Sequence, residues 1–142
     1  MSALGLKIID EAVQTANVWL NEVDYRTGWD DKQRGYRLMR AVLHAIRDHL
    51  TVDEAADLGA QLPTLIRGIY YEGWNPSRNP VKMRTAKAFE DRIQKSFETD
   101  PLGDAPHAIG AVIDVLDAHI SAGEMKDVRE AFTKEIRALF DA

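Results

Sequence analysis

Displaced against itself by 70 positions, the sequence lays residues 41–70 over 111–140 without a gap, and this self-similarity constrains the fold more than any other feature. Identical residues fall at Ala41 and Ala111, Val42 and Val112, His49 and His119, Glu54 and Glu124, Asp57 and Asp127, Ile66 and Ile136, and Arg67 and Arg137. Two amphipathic helices in phase match their apolar positions for trivial reasons, but phase does not explain the polar matches at His49, Asp57 and Arg67. Nor does it explain why Ser121-Ala122-Gly123-Glu124 repeats, in register, the capping box written by Thr51-Val52-Asp53-Glu54. Upstream, Thr15 with Thr85, Ala16 with Ala86, Trp19 with Phe89 and Val23 with Ile93 keep the same displacement. The expectation is an all-α helical bundle: one domain over residues 1–142, made of two tandem related four-helix repeats at about 8–74 and 80–142. One such unit alone buries little surface, so the two should share a core, most simply about a pseudo-twofold axis.

Hydrophobic periodicity places the helices. Ile9, Ala12, Val13, Ala16, Trp19, Leu20 and Val23 form one inward stripe over residues 8–24, and Met39, Val42, Leu43, Ile46 and Leu50 do the same over 32–49. A short helix follows the Thr51 cap, and Pro63 suits the first turn of a fourth. The segment 73–80, with two prolines and two asparagines, reads as the linker. Beyond it the spacing predicts helices near 81–97 and 105–119 and a final helical stretch from Ser121 to Phe140.

Composition narrows the function classes. The chain has no cysteine, which removes disulfides, thiolate zinc sites and a cysteine nucleophile, and suits a reducing compartment, so the cytoplasm is expected. The first residues break their apolar run at Lys7 and Asp10, so no signal peptide is expected, and no run of about 18 apolar residues offers a membrane span. The net charge of −5 is spread over both halves, which argues against nucleic acid as a partner.

No residue pattern announces catalysis. The serines at 2, 77, 96 and 121 lie outside any nucleophile elbow, and no glycine-rich phosphate loop is present. His44 and His49 stand about 140° apart on a helix and do not share a metal easily. His49 and His119 read as helix-terminal imidazoles, partly charged against the negative end of the dipole. Asp104 and His107 have a carboxylate-x-x-His spacing, but a helix N-cap with Pro106 just inside explains the same letters. No catalytic residue, metal ligand or cofactor is therefore assigned. Three other groups are singled out. Asp57 with Arg67, and Asp127 with Arg137, recur at one separation and are expected as structural ion pairs across a helix corner. Leu65, Gly68, Tyr71 and Trp74 are expected as a partner patch, because Leu65 aligns with Glu135 and a position that accepts glutamate faces water. Arg37, Arg40, His44 and Arg47, joined by Arg34, form a basic stripe that is either a solvated face or an anion site.

The run from Arg34 to Trp74 resembles a known bacterial family, on three stretches: Tyr36-Arg37-Leu38-Met39-Arg40-Ala41-Val42-Leu43-His44-Ala45-Ile46-Arg47-Asp48, Leu58-Gly59-Ala60-Gln61-Leu62-Pro63, and Ile66-Arg67-Gly68-Ile69-Tyr70-Tyr71-Glu72-Gly73-Trp74. It is similar to the proteins grouped as domain of unknown function 2267. The resemblance implies a prokaryotic helical protein and carries no activity, cofactor or catalytic residue with it. The reading that follows is a non-enzymatic interaction or regulatory module, as a homo-oligomer or with a protein partner. The alternative is a small-ligand-binding protein or enzyme with a pocket between the repeats, near His49, His119 and the stripe from Arg37 to Arg47.

Overall fold

The computed structural model describes residues 5–141. Eight α-helices make up the fold: α1 (Lys7–Thr27), α2 (Lys32–His49), α3 (Val52–Gln61), α4 (Thr64–Tyr71), α5 (Ala86–Gln94), α6 (Ala105–His119), α7 (Ala122–Glu130) and α8 (Lys134–Phe140). Among the described residues there is no strand, and no helix is long and apolar enough to cross a membrane.

Helices α2 and α6 form the centre. Every residue from Ala41 to Arg47 is buried, as are Ala108 to Ile113, so both helices are enclosed on all sides over these turns. They pack on each other; α1 lies against both, α5 against α2, and α8 against α6 and α5. Helices α3 and α7 meet at one end. Phe89, Phe132 and Phe140 meet edge-on at centroid separations of 5.1–5.6 Å and fill the core between α5 and α8. Tyr70 is equally buried, and its hydroxyl donates to the Ala55 carbonyl at 2.8 Å, which removes the cost of an unpaired polar atom there.

Local chemistry sets most boundaries. Asp31 caps α2 by accepting from the Arg34 N–H, and Gly28 ends α1 with a φ of 71° that suits a residue without Cβ. The Thr51 capping box is complete, with Glu54 reaching back to the Thr51 N–H. Its expected twin is only half formed: Ser121 accepts from the Glu124 N–H, but the Ser121 N–H is taken by Gln61 Oε1 from α3. Three other expectations need correction. The helix expected from residue 81 starts at Ala86, because the Val81 N–H goes to the Asp48 carbonyl and the Met83 N–H to His49 Nδ1, which holds this segment extended against the end of α2. The stretch from Ser121 to Phe140 breaks at 131–133, where Thr133 caps α8. Pro63 precedes α4 as its cap residue rather than sitting in its first turn. The α1 stripe is also only partly inward. Trp19 and Val23 are buried, whereas Ile9 and Val13 are 57% and 46% exposed.

Candidate functional site

The basic stripe on α2 is engaged along its length, although Arg37 and Arg40 remain 40% exposed. Arg34 stacks on the Trp29 ring at 3.7 Å, donates to Asp100 at 3.0 Å and to the Pro101 carbonyl at 2.8 Å, while Arg37 reaches the same carboxylate at 3.4 Å. Arg40 donates to Glu72 at 2.7 Å, and that bond holds the Glu72 carboxyl below its ordinary range. His44 is buried and donates from Nε2 to the Ile69 carbonyl. Burial pushes its imidazole below the ordinary value, the bond to Ile69 opposes this in part, and Arg47 and Arg40 push further down. The stripe thus closes seams to α4 and to the loop before α6.

Arg47 ends the stripe and belongs to a different environment. Its side chain is 5% exposed and donates to both Asp48 oxygens and to the carbonyls of Tyr70 and Glu72. Arg92 of α5 donates to the same Asp48 at 2.6 Å. Burial works against a charge on Asp48, but hydrogen bonds from Arg47 and Arg92 outweigh it and hold the carboxyl below its ordinary range. A cavity of about 290 Å³ opens beside this trio, lined further by Gly73, Asn75, Arg78, Val81 and Lys95.

The two recurring histidines do different work. His49 is buried; its Nδ1 accepts from the Met83 N–H at 3.0 Å, its Nε2 donates to the Ala131 carbonyl at 2.8 Å, and its ring stacks on Phe132 at 3.9 Å. Those partners fix the neutral tautomer, and burial pushes its pKa down, so the charged helix-end imidazole expected there is replaced by a neutral bridge. His119 stacks on Trp19 at 4.7 Å and meets Glu22 at 2.8 Å, the arrangement of an ion pair when protonated. Asp104 caps α6 through the His107 N–H, with Pro106 inside the first turn.

The expected ion pairs do not form: among the described residues neither Asp57 with Arg67 nor Asp127 with Arg137 comes within bridging distance. Arg67 instead donates to the carbonyls of Gly59, Ala60 and Leu62, closing the C-terminal end of α3 where helix carbonyls lack partners. Asp57 and Asp127 line a second cavity of about 270 Å³ between α3 and α7 with Glu54, Glu124 and Glu130. Burial, then Asp57, Asp127 and Glu54, push the Glu124 carboxyl above its ordinary range. No three His, Asp or Glu side chains are arranged to hold a metal ion among the described residues.

Of the expected partner patch, Leu65 and Gly68 are exposed, but Tyr71 and Trp74 are half-buried against each other at 5.3 Å, with Tyr70 behind. Trp74 Nε1 donates to Asn79, whose amide in turn donates to the carbonyls of Arg47 and Leu50. Tyr71 lies so close over Gly59 that a Cβ there would overlap its hydroxyl and ring. These aromatics therefore fasten the linker to α2 and α3. Sequence reasoning missed Asp48, Arg78, Arg92 and Lys95 as one group, because the linker and α5 bring them together from distant positions. The meeting of Glu54 and Asp57 with Glu124 and Asp127 had a signal, since those residues recur at the same displacement.

A comparison with curated proteins finds no match. The model of a family described as uncharacterized conserved protein (DUF2267) matches residues 16–139. Since that match runs from the middle of α1 to the last turn of α8, the chain belongs to the DUF2267 family.

Proposed function

We propose that the chain is a non-enzymatic interaction module, a duplicated helical body that pairs with a second copy of itself through the first turns of α1. The carrying observation is the uncovered part of the α1 stripe: Ile9 and Val13 lie in water although they continue the face that buries Ala16, Trp19 and Val23, and Leu6 and Ile8 beside them are 71% and 70% exposed. A straight apolar strip on a helix is complemented by another helix, ridges into grooves. A second α1 offers that helix from the same sequence, and a twofold pair covers both strips at once. The strip runs on from residues by which α1 already packs on its neighbours, Trp19 against His119 and Val23 beside Gly35, so a partner helix there extends an existing core. Each isoleucine or valine so covered contributes about 1.5–3 kcal/mol. Leu65 remains a smaller apolar point on α4.

What supports the duplication is reciprocity. Shifted by 70 positions, the residue ranges of α3 and α4 coincide with those of α7 and α8 within a residue at their ends. Helix α1 packs against α6 as its counterpart α5 packs against α2. His49 borders Ala131, Phe132 and Thr133, while His119 borders Gln61, Leu62 and Pro63 in the equivalent places. The absence of cysteine suits a cytoplasmic setting, and the acidic balance suits a protein partner better than nucleic acid.

Light scattering after size exclusion at micromolar concentration tests the reading. The full chain is expected to run as a dimer, and the variant combining Ile9→Asp with Val13→Asp as a monomer with unchanged helical circular dichroism. A monomeric full chain, or a dimer indifferent to both substitutions, refutes it.

A further inference from the structure

The cavity at the linker gathers more positive charge than anything in its surroundings balances. Arg47, Arg78, Arg92 and Lys95 line it, and Asp48 is the one carboxylate among the lining residues. Asp48 is already engaged by Arg47 and Arg92. Arg78 and Lys95 have side chains with no hydrogen bond or ion pair among the described residues, and Arg92 uses one guanidinium nitrogen only. Elsewhere among the described residues of this chain of net charge −5, cations either sit beside carboxylates, as Arg34, Arg40 and Arg129 do, or stand unpaired in smaller groups, as Lys82 and Arg84 do beside His49. What sets the linker cavity apart is four cations on one concave site against a single carboxylate that two of them already share.

The walls are also held in place. Arg47 is fixed by two carbonyls and Asp48, Asp48 ties α2 to α5 through Arg92, and Asn79 pins the linker to the end of α2. The cations come from three directions: the end of α2, the turn at Pro76–Arg78 and the end of α5. Guanidinium groups converging from several sides suit a multiply charged tetrahedral oxyanion, to which each donates charge-assisted hydrogen bonds. A volume of about 290 Å³ leaves room for more than the phosphoryl group itself.

We infer that this cavity binds the phosphoryl group of a small phosphate ester or diphosphate, with Arg78 and Lys95 as its mobile clamps and the Arg47–Asp48–Arg92 trio as its fixed floor. Of the basic residues expected as an anion site, Arg47 alone takes part, because Arg34, Arg37 and Arg40 are spent on Asp100 and Glu72. A ligand here touches α2, the linker and α5 together, so binding raises the unfolding temperature by mass action. The site is independent of the α1 strip.

Isothermal titration of the full chain with inorganic phosphate and with pyrophosphate, at ionic strength matched by chloride, tests the inference. The expected result is saturable one-to-one binding, tighter for pyrophosphate, and weakened at least about tenfold by the exposed pair of changes Arg78→Ala and Lys95→Ala. Arg37→Ala should leave the binding unchanged, and the unliganded unfolding temperature of the Arg78→Ala, Lys95→Ala variant should match that of the parent. No saturable binding of either anion, or binding indifferent to Arg78→Ala with Lys95→Ala, overturns it. Repeating the titration on the Ile9→Asp, Val13→Asp variant separates this site from self-association.

Discussion

Asp48 accepts from Arg47 and Arg92 at once, and only a fifth of its side chain meets water. Removing its charge strands a guanidinium that is 5% exposed. Asp48→Asn is therefore expected to cost about 3–5 kcal/mol in chemical denaturation, the scale of breaking a buried pair from one side. The buried histidines give a second prediction. Burial depresses both His44 and His49 below 6.5, so the unfolded chain binds protons first as the pH falls. Their contribution is complete above about 6.5 and is lost as the pH drops through the lower folded values. Protonating His49 also turns the acceptor of the Met83 N–H into a donor, with Lys82 nearby to oppose the new charge. Glu124 works the other way: its raised carboxyl favours the folded state most below its ordinary value of 4.5 and loses that as the pH rises. Thermal unfolding followed between pH 7.5 and 5.5 should show a falling midpoint whose slope is reduced by His49→Gln; a flat profile contradicts the assignment.

At the scale of elements, the corner between α3 and α4 shows how a recurring pair of letters acquires its role. Arg67 bonds three carbonyls at the end of α3, not Asp57. Arg67→Ala should destabilise by about 1–2 kcal/mol, Asp57→Asn by close to nothing, and a double-mutant cycle between them should return no coupling. Coupling comparable to a salt bridge contradicts the carbonyl-capping account. The same corner holds Gly59 beneath Tyr71, so Gly59→Ala should displace the ring and cost about 1–3 kcal/mol, read as a loss of near-ultraviolet aromatic dichroism with the helical signal kept. Several helix boundaries were legible beforehand, since caps such as Thr51 and Asp104 are local hydrogen bonds written within four residues. The start of α5 was not, because residues 81 and 83 are held by the end of α2, more than thirty residues away.

For the whole molecule, the pattern of apolar residues determined an all-α chain, whereas the central place of α2 and α6 was decided by packing, since α2 reads as amphipathic with the stripe from Arg37 to Arg47 on its polar side and is nevertheless buried all round over 41–47. It also determined the helical phase of nearly every buried residue, including Trp19, Leu43, Ile66 and Phe140. Periodicity states which face is apolar but not whether a neighbour arrives to cover it, and so Ile9 and Val13 read the same as Val23 while ending in water. Charges are less legible still. An arginine can reach carboxylates, carbonyls or rings on any element within its length, so the partners of Arg34, Arg47 and Arg67 depended on which elements packed beside them. The cationic cavity, the acidic cleft and the neutral His49 bridge join residues far apart in the chain, and only the tertiary packing of α2, α3, α5 and α7 brought them together.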